Sequence, residues 1–197
     1  MKTYVALLSA ISTAIACTLL VAKDSLKEQS NESKLLSNTR QLTFAGKRSG
    51  EGYYSSDGNQ MIFQSEREPG NPFYQIYLMD LETGDTNRVS PGIGKTTCAW
   101  IHPEGEKVMF SSSHSDPNAR AKQVDEIEER KSRRIRKYSW DYDENYEIWE
   151  TATDGSNPVN LTNCKGYDAE GSYSPDGNWI AFASNRHAYA KKLSNAE

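Results

Sequence analysis

Apolar and polar positions change character twice along this chain. Tyr4 to Ala22 is nineteen residues without a charge, and residues 23–39 are dominated by Ser, Lys, Glu and Asn. From about Arg40 the pattern becomes short apolar runs of strand length, separated by Gly, Pro, Asn and Asp, which predicts β structure. Three runs align: Tyr54-Ser55-Ser56-Asp57-Gly58-Asn59-Gln60-Met61-Ile62-Phe63, Ile101-His102-Pro103-Glu104-Gly105-Glu106-Lys107-Val108-Met109-Phe110 and Tyr173-Ser174-Pro175-Asp176-Gly177-Asn178-Trp179-Ile180-Ala181-Phe182. In each an acid precedes Gly and Phe follows five residues later. Pro presets φ, the Ser or acidic side chain bonds nearby N–H groups, and Gly takes the left-handed conformation, so each run reads as a hairpin. Trp100 stands one residue earlier than Tyr54 and Tyr173, which predicts a bulge or one-residue shift in that strand.

A second pair of elements follows. Tyr74-Gln75-Ile76-Tyr77-Leu78-Met79-Asp80 with a turn at Thr83-Gly84 corresponds to Tyr146-Glu147-Ile148-Trp149 with a turn at Asp154-Gly155. Arg88-Val89-Ser90 and Asn160-Leu161-Thr162 read as short closing strands, and Gln41-Leu42-Thr43 has the same form. The unit is therefore four strands. Gly58, Gly105 and Gly177 stand 47 and 72 residues apart, so the second unit carries about 25 additional residues. Four-stranded units at this period are the signature of β-propeller blades.

Ser174-Pro175-Asp176-Gly177-Asn178-Trp179-Ile180-Ala181-Phe182 resembles the repeat of the TolB-like propellers, and Ile76-Tyr77-Leu78-Met79-Asp80 resembles their following strand. Ser56 in place of Pro and Glu104 in place of Asp depart from that repeat. The resemblance covers about residues 40–186 and implies a propeller in an exported bacterial protein, used for protein contacts or set beside a hydrolase domain. The expected fold is all-β, a partial β-propeller of about two and a half four-stranded blades with one charged helical insertion. Blade one takes about 51–90, blade two about 97–162 with the insertion at 114–145, and partial blade three about 169–186. Blades bury their faces against neighbours, and rings usually need at least about four. Residues 40–197 are thus expected to be the N-terminal part of a longer protein. Phe63, Phe110 and Phe182 are each expected between neighbouring blades.

Composition narrows the function. Of 197 residues 36% are hydrophobic and 25% charged, and net charge is −4, with mean hydropathy −0.78. An acidic chain lacks the basic field that holds a polyanion, which argues against nucleic acid as partner. Lys2, the apolar run and the small-x-small sequence Ala14-Ile15-Ala16 read as an export signal over residues 1–22. Three fates stay open: a cleaved secretory signal, a lipoprotein signal with lipidation at Cys17, or an uncleaved anchor, the chain's expected membrane attachment. Residues 23–39 then form a flexible linker, and the expected location is periplasmic or secreted.

The insertion draws the remaining attention. Asp116-Pro117 suits a helix start, and Val124, Ile127, Ile135 and Tyr138 recur at helical spacing, which predicts a helix over 117–137. Glu126 with Arg130 and Glu129 with Arg133 form i,i+4 pairs. The run from Arg130 to Lys137 holds six cations, including Arg133, Arg134 and Arg136. It reads either as a solvated helix end or as a docking patch for an acidic partner. Trp140-Asp141-Tyr142-Asp143-Glu144 follows, an aromatic and acidic stretch that reads more readily as packing on the blade face than as a calcium loop. Candidate partner-binding residues are Arg130, Arg133, Arg134, Arg136, Trp140, Asp141 and Tyr142.

Other signals are weaker. His114 and His187 follow the second strands of blades two and three without a metal-ligand spacing, and His102 sits in the turn of blade two. Gly92-Ile93-Gly94-Lys95-Thr96-Thr97 resembles the end of a phosphate loop, but Val89 stands where its first Gly belongs. Cys98 and Cys164 lie near blade connections and could pair after export. The sequence contains neither a Gly-x-Ser-x-Gly elbow nor His-Glu-x-x-His. No catalytic residue, cofactor or metal is expected. The expected role is a non-catalytic, exported propeller module that binds protein or an anionic surface polymer. The alternative is the N-terminal propeller of a larger exported peptidase or hydrolase with its catalytic domain beyond residue 197.

Overall fold

In the computed structural model of the chain the described residues are 34–135, 137 and 141–190. Residues 1–33 lie outside them, and with them the export segment, Cys17 and most of the linker. Residues through Leu42 fall in a unit separate from Thr43–Glu197. Among the described residues no helix is long and apolar enough to cross a membrane.

Among the described residues the larger unit has ten strands and two helices. Sheet one is β1 (Arg48–Tyr54), β2 (Gln60–Glu66), β3 (Gln75–Asp80) and β4 (Thr86–Arg88), hydrogen-bonded in that order. Sheet two repeats it with β5 (Thr96–Ile101), β6 (Lys107–Ser112), β7 (Glu147–Ala152) and β8 (Val159–Asn160), and sheet three pairs β9 (Asp168–Tyr173) with β10 (Ile180–Ser184). Helix α1 (Ala119–Lys131) joins β6 to β7, and a short α2 (His187–Ala190) follows β10. All strand pairs are antiparallel, as hairpin connections require.

The turn chemistry explains the repeat. Ser55 Oγ donates to Asp57 at 2.6 Å and accepts the Gln60 N–H at 2.9 Å, while Gly58, at φ +74°, donates to the Ser55 carbonyl. Ser174, Asp176 and Gly177 repeat this arrangement in sheet three. In sheet two His102 stands in for the serine, its Nδ1 accepting the Glu104 N–H at 3.2 Å.

Alternation along the strands gives each sheet two unlike faces. Ile62, Ile76 and Leu78 of sheet one meet Val108 and Phe110 of sheet two in one buried cluster with Val89, Ala99 and Ile101. Met109 and Ile148, on the opposite face of sheet two, meet Tyr173. The three equivalent phenylalanines therefore do not share one environment. Phe110 is wholly buried between sheets one and two. Phe63 is buried on the face of sheet one turned away from sheet two, beneath the Arg67 guanidinium at 5.3 Å. Phe182 remains 38% exposed, because sheet three has two described strands where sheet two has four.

Two other expectations change. Residues 41–44 belong to no strand, and Phe44 is 83% exposed; an extended segment gains ladder hydrogen bonds only when a sheet edge is offered to it. Helix α1 is shorter than 117–137. Arg133 at φ +52° ends it, with the Ser132 N–H shared between the Glu128 and Glu129 carbonyls. The apolar spacing did not mark its buried side: Val124 is 58% exposed and Ile135 fully so, whereas Ala119 and Gln123 are buried. Tyr138 lies outside the described residues.

The expected bulge in the second unit recurs in all three. Register slips by one residue between Gly50 and Tyr53, between Thr97 and Trp100, and opposite Ala181–Ala183. At these places Glu51, Cys98 and Glu170 hold left-handed φ values of +48°, +49° and +59°. Each stands seven residues before the turn glycine of its unit.

Candidate functional site

The three bulges bring their residues together. Strand β5 lies between β1 and β9, and the three bulge side chains meet at Cys98. Cys98 Sγ lies 3.1 Å from a Glu170 carboxylate oxygen and 3.3 Å from one of Glu51, donating its proton between them. Burial above all, with the two carboxylates added, pushes the Cys98 thiol far above its ordinary value. Cys164 is bonded instead to Asp168, 3.3 Å away, and neither cysteine is in a disulfide.

Glu51 also lines a cleft of about 700 Å³. Strand starts and the insertion build its walls: Arg48, Phe73, Tyr74 and Lys95 on one side, Glu126, Arg130, Lys137 and Asp141 on another, with Tyr146 and Tyr167 beside them. Arg48 lies 4.3 Å above the Tyr74 ring, and Lys95 lies 5.2 Å from that of Phe73. The lining thus combines flat aromatic surface with charges of both signs, a composition suited to grasping a chain rather than enclosing a small apolar molecule.

Polar contacts hold the insertion over this cleft. Gln123 accepts the Gly94 N–H at 3.0 Å and donates to the Gly70 carbonyl at 3.1 Å. Lys122 stands 2.7 Å from Asp116 and 2.8 Å from Asp143. Burial alone would lower its pKa, but these two carboxylates hold it above the ordinary lysine value. Arg130 reaches Glu66 and the Pro72 carbonyl, both at 2.8 Å, and pairs with Glu126. Burial opposes ionisation of Glu66, yet Lys47, Arg130 and Arg48 together keep its carboxyl below the usual range.

Of the residues singled out from sequence, Arg130 is thus engaged within the molecule, while Arg133 and Arg134 follow the helix and are exposed. Arg136 and Trp140 lie outside the described residues. Asp141 pairs with Lys95 at 2.5 Å, and Tyr142 stacks on Tyr167 with ring centroids 5.6 Å apart. Tyr167 meets the buried Tyr146 edge-on at 5.4 Å, so Tyr142 of the aromatic stretch, itself 44% exposed, stacks on the segment that leads into β9. With Asp141 and Asp143 each facing a lysine, this stretch is internally neutralised. His114 bonds Ser112 and lies against Trp149 at 4.2 Å, and its burial lowers its pKa. His102 meets Tyr173 edge-on at 4.8 Å, linking the turns of sheets two and three.

Sequence reasoning passes over Glu66 and Tyr167 and meets Lys95 only within the Gly92–Thr97 segment. The Gly92–Thr97 segment, set aside as a broken phosphate loop, has its own use: the Gly94 carbonyl takes bonds from Asn71 and Gln75, and its N–H holds Gln123.

This architecture has solved counterparts. TolB from Agrobacterium tumefaciens superposes with a TM-score of 0.52 at 22% identity, over 74% of this chain and 41% of that one. The fold is that of the TolB-like β-propellers. TolB from Acinetobacter baumannii is similar at 20% identity and a TM-score of 0.47, over 71% of this chain and 27% of its own. A prolyl endopeptidase structure is similar at 14% identity and a TM-score of 0.44, over 71% of this chain and 19% of that one. No protein-family profile matches the sequence. The chain spans about two fifths of the length of the Agrobacterium TolB, and its sheets are blades of the TolB-like kind.

Proposed function

We propose that this chain is a non-catalytic, exported propeller module that captures a protein or an anionic surface polymer at the mouth of its blades. The observation that carries the reading is the cleft of about 700 Å³ under an insertion held in place by half-buried ion pairs. A rigid roof over aromatic and charged walls is what a recognition surface needs, and blade strands committed to packing cannot supply it. Arg133 and Arg134, exposed beside that roof, would steer an acidic partner electrostatically. Export rests on the apolar segment behind Lys2.

The test is capture of acidic proteins and anionic polysaccharide at low and high salt by the parent and by a variant with Arg133→Glu, Arg134→Glu and Arg136→Glu. Salt-sensitive capture that the variant loses supports the reading. Capture unchanged by either salt or charge reversal would return these arginines to solvated helix-end cations. Cell fractionation that leaves the protein in the cytoplasm would remove export.

A further inference from the structure

The connections leading into β5 and β9 are built on one plan with different chemistry. In the first, Gln75 Oε1 accepts the Ser90 hydroxyl at 2.7 Å and the Gly92 N–H at 2.9 Å, Ser90 Oγ accepts the Ile76 N–H, and Thr96 opens the next strand. In the second, Glu147 stands for Gln75, Thr162 for Ser90, Cys164 for Gly92 and Asp168 for Thr96. Glu147 accepts the Thr162 hydroxyl and the Cys164 N–H, and Thr162 Oγ1 accepts the Ile148 N–H at 3.0 Å. The first connection shows that tethering needs neither charge nor sulfur.

The charged set has a second property. Donor atoms of Glu147, Cys164 and Asp168 all lie within 4.8 Å of one another, and Cys164 Sγ is 3.3 Å from Asp168 Oδ2. Sulfur and oxygen ligands of a tetrahedral zinc, at about 2.3 and 2.1 Å from the metal, stand roughly 3.6 Å apart. Glu147 and Asp168 are buried and Cys164 is partly open to solvent, so the donors are already gathered and an ion has an entry.

We propose that Glu147, Cys164 and Asp168 bind a divalent cation of the zinc type, with water as the fourth ligand. A thiolate among the donors favours zinc or cobalt over calcium and magnesium, which prefer oxygen alone. On binding, the Cys164 thiol gives its proton to solvent and the sulfur bonds the metal. Arg186, whose guanidinium lies 2.7 Å from Asp168 on a side chain 35% exposed, turns outward as the cation replaces its charge. Thr162 and Ser184 keep their bonds to the two carboxylates and orient them. A metal here would clasp β7 to β9, joining sheets two and three.

The experiment titrates Co²⁺ and then Zn²⁺ into the full chain under reducing conditions. A thiolate-to-cobalt absorption band should appear, vanish on Zn²⁺ addition, be lost in Cys164→Ser and persist in Cys98→Ser. Glu147→Gln installs the residue that already serves in sheet one and so should fold, yet it should bind at least about tenfold more weakly and lose the Zn²⁺-dependent rise in melting temperature. A folded parent without the band, or a band that survives Cys164→Ser, would overturn the proposal.

Discussion

The guanidinium of Arg130 lies 2.8 Å from the carboxylate of Glu66, tying the end of α1 to the last residue of β2 across 64 positions of chain. Glu66 is buried and also holds Lys47 and Arg48. The insertion is therefore attached by charge and amide contacts, while Val124 and Ile135 on it face water.

Removing that tie should loosen the roof and spare the sheets. Arg130→Ala is expected to lower local stability of α1 by about 1 to 2 kcal/mol, since Lys47 and Arg48 keep Glu66 paired. Amide exchange at 119–131 should accelerate with β2 and β3 protection unchanged. Equal acceleration in both regions would contradict the separate attachment.

Acid should act on the same contact. The Glu66 pKa is lower folded than in its ordinary state, so its contribution is present above the unfolded value and is lost as pH falls through the folded one. The urea midpoint should drop as pH falls below about 5, and Glu66→Gln should flatten that part of the profile. A parent midpoint that holds steady across the range would argue against it.

The unlike settings of the repeat phenylalanines predict unlike costs. Phe110→Ala, at a wholly buried position between two sheets, should destabilise by about 3 to 5 kcal/mol. Phe182→Ala should cost less, about 1 to 2 kcal/mol, since more than a third of that residue already faces solvent. Denaturant midpoints of the two variants decide this, and comparable losses would mean that the faces are assigned wrongly.

The Cys98 thiol should be inert. Buried and held between two carboxylates, it is expected to resist alkylation in the native protein at pH 8 while Cys164 reacts, a difference read by peptide mass spectrometry. Faster labelling at Cys98 would mean that the inner strands are open.

Left-handed backbone at the bulges sets a further expectation. Glu51→Val should destabilise by about 1 to 3 kcal/mol, because a β-branched residue cannot easily hold φ +48°. Glu51→Gly should stay within about 1 kcal/mol of the parent, with relief of strain offsetting the lost contact to Cys98. Thermal unfolding of the pair checks the order.

How much of this was legible depends on the range of the signal. The hairpin turns were readable because Ser, Asp and Gly act within five residues, as the Ser55–Asp57–Gln60 bonds show. The four-strand period followed from them. The inward meeting of Glu51, Cys98 and Glu170 was written in a constant offset of seven from each turn glycine, but three different residue types concealed it. Docking of α1 was not readable, since Gln123 finds Gly94 and Arg130 finds Glu66 only after the sheets have formed, and the apolar spacing pointed to the wrong side. Residues 41–43 make a related point: a strand is defined by its neighbour, and a tripeptide pattern does not contain one.

Ile62 and Met109 occupy the same place in successive blades and face the same way, and Val108 and Phe110 fill the opposite side. Each blade consequently has a front that meets the back of the next. Stacking of this kind has polarity, as in a head-to-tail polymer. A blade face without its successor thus offers a templating surface, and what separates a closed ring from an open-ended filament is whether the last front finds the first back.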